Sequence, residues 1–103
     1  MDVIKILKME SVNQNCIYLH REGPEWYAYE FSAFYLNSAF QVERIEQIID
    51  DVYEVRMIRI PLGKSPREFF TGKEVIECGK DMVEVRCKLK YGGFSIWKSR
   101  FVH

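Results

Sequence analysis

The sequence predicts a single α+β domain spanning residues 1–103, in which helices pack on a β-sheet. Three observations lead to this prediction. Apolar side chains recur every three or four residues in one segment, alternate with charged ones in another, and form strand-like runs between glycine turns near the C terminus. A chain of 103 residues is within the usual length of one domain, and it shows no internal repeat or low-complexity linker.

The main helix is predicted at residues 24–37. Its first turn can hold Pro24, because the first N–H groups of a helix have no partner inside it. Four apolar side chains within it recur at helical spacing: Trp26, Tyr29, Ala33 and Leu36. Further aromatic residues widen this stripe, so we expect the helix to be covered on more than one side.

Two strands and a short helix are also predicted. The strands are residues 16–20 and residues 53–60; the second alternates apolar and charged side chains and is expected to end at Pro61. The short helix is predicted at residues 66–71, with the hydroxyl of Ser65 accepting a backbone hydrogen bond at its start.

Two segments fit either kind of element. Residues 3–9 are too short for periodicity to separate a strand from a short helix capped by Asp2. Residues 41–53 have apolar residues at helical spacing, but β-branched residues dominate among them. Both alternatives stay open for each segment.

The C-terminal part is predicted to form an antiparallel meander. Its strands are residues 73–78, 82–91 and 94–101, with a hairpin turn at Gly92-Gly93. If the last two strands pair across these glycines, four side chains share a face: Arg86, Lys88, Lys90 and Trp97. Cations beside an indole can hold phosphates and stack a base, so this face is the predicted nucleic-acid-binding site. The alternative is a solvated sheet face whose lysines discourage edge pairing.

The charges are balanced in number but uneven along the chain. Lys plus Arg and Asp plus Glu each number 15. By direct count, residues 1–53 hold four basic and nine acidic residues, and residues 54–103 hold eleven and six. Balanced totals argue against a generic nucleic-acid binder, although an uneven molecule can still present one basic face.

The sequence indicates neither a disulfide framework nor a metal or cofactor site. Its three cysteines are odd in number and form no C-x-x-C pair. The first ten residues carry mixed charge without a long apolar run, so we expect neither a signal peptide nor a membrane span. A cytoplasmic location is therefore expected, with no contact with a membrane.

The order of elements resembles the N-terminal mismatch-recognition domain of the MutS family of DNA repair proteins. The resemblance covers about residues 16–78. It rests on residues 17–23 (IYLHREG), 26–33 (WYAYEFSA), 59–62 (RIPL) and 75–78 (VIEC). It implies an α+β fold with a mixed sheet, and a strand pair rather than a helix at residues 41–60.

The chain departs from that family at its recognition motif, Phe-x-Glu. One register places Glu25 and Tyr27 at the two motif positions, and the other places Trp26 and Ala28 there. The resemblance therefore does not carry mismatch recognition to this chain. The nucleotide-binding loop of the family's ATPase, G-x-x-x-x-G-K-[ST], does not occur in the sequence.

These observations predict a non-enzymatic binding module on a scaffold like the MutS domain, whose partner is nucleic acid bound through the basic C-terminal face. A protein-interaction or purely structural accessory domain is the alternative, so the expected partner is nucleic acid or another protein. A metal-dependent hydrolase is a minor alternative, because Asp51, Glu54 and Glu84 are carboxylates near strand-like segments. No residue arrangement in the sequence indicates a catalytic nucleophile and base, and the oligomeric state is not predicted.

Overall fold

The computed structural model describes residues 2–14, 16–70, 72–86 and 92–102. The helices are α1 (Val3–Ser11), α2 (Glu30–Ala39), α3 (Pro66–Phe69) and α4 (Phe94–Ser99). The strands are β1 (Cys16–Glu22), β2 (Glu25–Tyr29), β3 (Glu46–Asp50), β4 (Val55–Gly63), β5 (Val75–Glu77) and β6 (Met82–Arg86). The predicted α+β class is confirmed.

The six strands form one sheet in the order β3-β4-β2-β1-β6-β5. Each neighbouring pair in this order runs antiparallel, so the sheet is not mixed in strand direction as the family resemblance implied. The hairpin of β3 and β4 settles residues 41–60 in favour of strands.

Side chains on both faces of the sheet are buried. Ile17 and Leu19 of β1 and Ile58 of β4 belong to the larger cluster, under α2 and α4. Met57 and Tyr29 lie on the opposite face, against α1. Neighbours along a strand point to opposite faces, so Met57 and Ile58 can both be fully buried. Residues 3–9 form a helix, since α1 is the element that covers the second face of the sheet. The Asp2 carboxylate caps this helix by accepting from the Lys5 N–H at 3.1 Å.

The predicted helix at residues 24–37 is wrong in its first half, which forms β2. Gly23 and Pro24 make a two-residue turn, and Gly23 adopts a φ of 62° that favours glycine. Trp26 and Ala28 then face the larger cluster while Tyr29 faces α1, a period of two rather than 3.6. Because aromatic residues occupy both faces, the segment also matched a helical spacing.

Two boundaries also differ from prediction. Pro61 does not end its strand: β4 runs through it to Gly63, and Pro61 faces Tyr27 where the β2–β4 register shifts, so its missing N–H interrupts no regular ladder. The short helix ends at Phe69, and the Ser65 side chain makes no capping hydrogen bond.

The C-terminal meander is confirmed for β5 and β6 but not for its third strand. Residues 94–99 form α4 instead, because Phe94 and Trp97 are spaced to pack on one helical face against Phe34 of α2, and Phe101 packs on Trp97. Because the residues after Gly92-Gly93 are helical, they do not supply the second strand of the hairpin predicted there.

Candidate functional site

The predicted basic face is not assembled as the sequence suggested. Trp97 is only 8% exposed, and its ring lies 5.4 Å from that of Phe34. Arg86 is exposed on β6, 3.8 Å from the Glu84 carboxylate. Lys88 and Lys90 lie outside the described residues. Nucleic-acid binding through Arg86, Lys88 and Lys90 stays a prediction, but Trp97 is too buried to stack a base.

The three carboxylates considered for a hydrolase do not converge on one site. Asp51 and Glu54 lie in the turn between β3 and β4, whereas Glu84 lies on β6. Three strand spacings separate β4 from β6, which amounts to about 14 Å. Across the described ranges, no three His, Cys, Asp or Glu side chains converge as metal ligands would.

A cavity of about 400 Å³ lies at the end of β2, and we call it the Trp26 pocket. An indole, three cations and two carboxylates line it: Trp26, Lys64, Arg67, Lys80, Glu68 and Glu77. Its volume is within the range of small-molecule sites, which usually combine an apolar wall with a few polar groups.

Trp26 is held at this pocket by the sheet. It faces Arg21 on β1 and Gly63 on β4 as cross-strand partners, so it stands at the end of the paired region. Gly63 has a φ of 74° and no side chain, and a methyl group there would meet nothing within 4 Å. The indole is half-buried against the larger cluster, and its N–H donates to no described residue.

Two lysines line the pocket together with the indole and have no ion pair among the described residues. Lys64 precedes α3, and Lys80 lies in the turn between β5 and β6; both are exposed, and neither bonds to a described residue. Arg67 is already paired with Glu77, at 2.7 Å. The pocket thus holds three cations against the two carboxylates of Glu68 and Glu77. An aromatic ring beside unpaired cations suits a flat anionic ligand.

A second cavity, of about 530 Å³, lies on the other face of the sheet, and we call it the His20 pocket. Ile6 of α1 and His20 line it, whereas Trp26 lines the first cavity on the side of the larger cluster; Lys80 lines both. Burial lowers the pKa of His20 to about 4, with a further lowering by Lys5 that Glu22 partly opposes. The imidazole is therefore neutral at pH 7, and its buried Nε2 has no hydrogen-bond partner in the described part of the chain.

Two buried carboxylates hold the fold together rather than face a ligand. Glu10 of α1 accepts from the Ser32 N–H at 2.7 Å and from the Ser32 hydroxyl at 2.6 Å. Burial raises the pKa of Glu10 to about 7, although its hydrogen bonds to Ser32 and Asn13 lower it in part. Glu30 accepts from the Ile58 N–H at 2.9 Å and from Lys98 Nζ at 2.7 Å.

Arg59 forms a third internal cluster, on the α1 side of the sheet. Its guanidinium lies 2.8 Å from Glu46 and 3.7 Å from Glu22, and 4.3 Å above the ring of Tyr27. The Tyr29 hydroxyl donates to Glu22 at 2.6 Å. Because the guanidinium and both carboxylates of this cluster already have partners within it, the cluster is a poorer ligand site than the Trp26 pocket.

The sequence contained only part of the signal for the Trp26 pocket. From the sequence, Trp26 is expected to be a core residue of a helix, and neither Lys64 nor Lys80 stands out. The two lysines are 16 positions apart and lie on separate turns, so no local spacing marks them as a pair. An exposed strand end with an aromatic residue opposite a glycine would have been the only local hint.

The chain matches no family model, no curated protein and no solved structure. The likeness to the MutS domain consequently stays a prediction. Among the described residues, no helix has the length and apolar character needed to cross a membrane.

Proposed function

We propose that this chain is a non-enzymatic module that binds single-stranded nucleic acid, with one base stacked on Trp26 and flanking phosphates held by Lys64 and Lys80. The observation that carries the proposal is a half-buried indole that lines one cavity together with two lysines that have no ion pair among the described residues. Stacking on an aromatic side chain contributes about 1–3 kcal/mol per base, and lysine contacts with phosphate add a salt-dependent contribution.

A single strand fits this pocket better than a duplex. The bases of a duplex are stacked on one another inside the helix, so an indole at the end of a strand cannot reach their faces without unpairing them. An unpaired base can enter a concave cavity and leave its phosphates at the rim. Balanced total charge supports the same choice, because it leaves little long-range attraction for the denser charge of a duplex.

The family resemblance and the pocket point to the same residue. In one of the two registers, Trp26 stands where the MutS domain has the phenylalanine that contacts bases. Ala28 stands at the glutamate position, but it is fully buried within the larger cluster and offers no hydrogen-bonding side chain. The proposal therefore takes stacking from this position and leaves out recognition of a displaced base.

Quenching of tryptophan fluorescence tests the proposal directly. Single strands of DNA and of RNA with the same twelve-nucleotide sequence, and the corresponding duplex, are titrated into the protein at 50 and 200 mM salt. We expect the single strands to quench the wild type, and Trp26→Phe to lose the quenching, because Trp97 is buried and remains shielded. Comparison of the DNA and RNA arms shows which sugar the site prefers.

Charge reversal supplies the matched control. Lys64→Glu with Lys80→Glu is expected to weaken binding at least about tenfold and to reduce the salt slope by about 1 to 1.5, since each phosphate contact contributes about 0.7. Lys8→Glu with Lys73→Glu makes the same charge change on two exposed residues outside both pockets and should change little. Equal weakening by Arg86→Glu with Lys88→Glu would place the strand on the face predicted from sequence instead.

A protein-binding role is the second candidate, and the β3–β4 hairpin favours it. Ile49, Val52 and Tyr53 are 60%, 83% and 52% exposed on this hairpin, and β3 is an edge strand of the sheet. Asp50 and Asp51 make its end acidic, so the fitting partner is an extended basic segment that adds a strand beside β3.

Ile49→Lys with Val52→Lys should then abolish binding of a basic strand-forming peptide measured by calorimetry, and leave oligonucleotide quenching unchanged. Unchanged peptide binding in that variant would remove this candidate.

A further inference from the structure

The ion pair of Arg67 and Glu77 lines the Trp26 pocket and is open to solvent. Arg67 belongs to α3, Glu77 ends β5, and the guanidinium donates to Glu77 Oε1 at 2.7 Å. The two side chains are 59% and 67% exposed. An ion pair this exposed contributes little to the stability of a fold. Its polar atoms are therefore accessible to a ligand in the cavity.

Glu77 faces the same side of the sheet as Trp26. It is the cross-strand partner of Val83, which in turn pairs with Leu19 on β1. Cross-strand partners point to one face, and Val83, Leu19 and Trp26 all pack in the larger cluster. The cavity thus lies on a single face, with the indole at β2, the Glu77 carboxylate at β5, and Val83 of β6 lining it between them.

The ion pair presents a hydrogen-bond donor next to an acceptor. A guanidinium has five N–H groups and only donates, whereas an ionised carboxylate only accepts. Arg67 bonds to Oε1 of Glu77, and Oε2 accepts no hydrogen bond from the described residues. The guanidinium also holds the carboxylate in place. A planar ligand edge on which an acceptor is followed by donors would match this wall of the pocket.

Guanine is the base whose edge has that order. Along its Watson–Crick edge the acceptor O6 is followed by two donors, N1–H and the amino group. Adenine and cytosine carry an amino donor followed by a ring nitrogen that accepts, and uracil and thymine carry one donor between two acceptors. In each of those bases an acceptor would face the carboxylate, which cannot donate to it. Proteins can read this edge in a single strand because it is not occupied by pairing.

We propose, on the basis of the function proposed above, that the base stacked on Trp26 is guanine. Its O6 accepts from Arg67, and its N1–H and amino group donate to the Glu77 carboxylate. The phosphate is left to Lys64 and Lys80, which line the same cavity. This assignment gives the carboxylate a role in a site for an anionic ligand, where it would otherwise only repel the phosphate.

Titration with single nucleotides tests the assignment. The guanosine, adenosine, cytidine and uridine monophosphates are compared with inosine monophosphate, which lacks only the amino group of guanine. Dissociation constants are taken from the midpoints of Trp26 quenching, so differences in quenching efficiency between bases do not enter. We expect the guanosine nucleotide to bind at least about tenfold more tightly than the adenosine, cytidine and uridine nucleotides, as for one bidentate base contact, and the inosine nucleotide to fall between them.

Replacement of Glu77 by glutamine is decisive because its two effects have opposite sign. Loss of a negative charge should by itself tighten the binding of every anionic nucleotide. Loss of the bidentate acceptor should weaken the guanosine nucleotide alone, by about fivefold or more. Glu68→Gln is the matched control, because it removes the same charge from the same cavity; it should tighten the guanosine, adenosine, cytidine and uridine nucleotides to a similar, small extent.

The guanine assignment is wrong if the guanosine nucleotide binds no more tightly than the others, or if no single nucleotide binds measurably. It is also wrong if Glu77→Gln and Glu68→Gln have the same effect. The twelve-nucleotide strands decide separately about the proposed function. If they quench Trp26 while the nucleotides show no preference, stacking without selection of a base stands; if they do not quench it, the proposed function fails.

Discussion

Replacement of Glu10 by alanine is expected to lower the free energy of unfolding by about 3 kcal/mol, a large share of the stability of a small domain. The reason is that the first turn of helix α2 is capped by a side chain from another helix. Helix α2 has no side-chain cap from Tyr29, and the Ser32 N–H in its first turn is satisfied by Glu10 of α1. Alanine leaves that buried N–H and the Ser32 hydroxyl without their acceptor. Urea unfolding followed by circular dichroism measures the loss.

Glutamine at the same position separates hydrogen bonding from ionisation. Glu10→Gln keeps an acceptor for Ser32, so it should cost less than alanine. Because the pKa of Glu10 rises from 4.5 to about 7 on folding, the native state holds a proton that the unfolded state releases. Its contribution is complete below pH 4.5 and is lost as the pH rises through 7, on the order of 3 kcal/mol in total.

His20 has the opposite linkage. Its pKa falls from 6.5 to about 4 on folding, so its contribution is complete above pH 6.5 and is lost as the pH falls through 4. The two effects nearly cancel between pH 4.5 and 6.5 in the wild type. Glu10→Gln should therefore gain stability steadily from pH 4 to 6.5. A variant with the same pH dependence as the wild type would contradict this assignment of the buried proton.

Replacement of Glu30 is the second large effect, with an expected loss of about 3–4 kcal/mol for alanine. Tyr29 faces Arg59 at the last pair of β2 and β4, so the next residue along would face Ile58. Glu30 instead turns into α2, and its carboxylate accepts the Ile58 N–H that the strand no longer reaches. Alanine leaves that buried N–H without its acceptor and removes the ion-pair partner of the partly exposed Lys98.

Glycine at position 30 distinguishes this account from a general loss of packing. Glu30 has a φ of 52°, which a side chain disfavours by about 1–2 kcal/mol and glycine does not. Glu30→Gly should thus be more stable than Glu30→Ala, the reverse of their usual order in a helix. Lys98→Met, which removes only one partner, should cost less than either. Urea midpoints of the three variants decide the order, and an alanine variant more stable than the glycine one would refute the strained turn.

Much of the fold could be predicted because its signals are local. The strand at residues 53–60 alternates apolar and charged side chains as far as Met57, and the short helix α3 follows a serine and begins with a proline, so both were found with small errors at their ends. Residues 24–29 were assigned wrongly because aromatic residues occupy both faces of β2 and so also match a helical spacing. Residues 94–101 were assigned wrongly because the Gly92-Gly93 hairpin signal was given more weight than the helical spacing of Phe94, Trp97 and Phe101.

The sequence by itself determined the α+β class, the glycine turns and most of the strands, because alternation and turn chemistry depend on neighbours along the chain. Only the tertiary structure decided which aromatic residue is a core residue and which lines a pocket: Trp97 of α4 packs against Phe34 of α2, and Trp26 lies at a strand end. The same holds for the Glu10–Ser32 and Glu30–Ile58 contacts and for the two lysines beside Trp26. These depend on residues 16 to 54 positions apart, which only the order of strands in the sheet brings together.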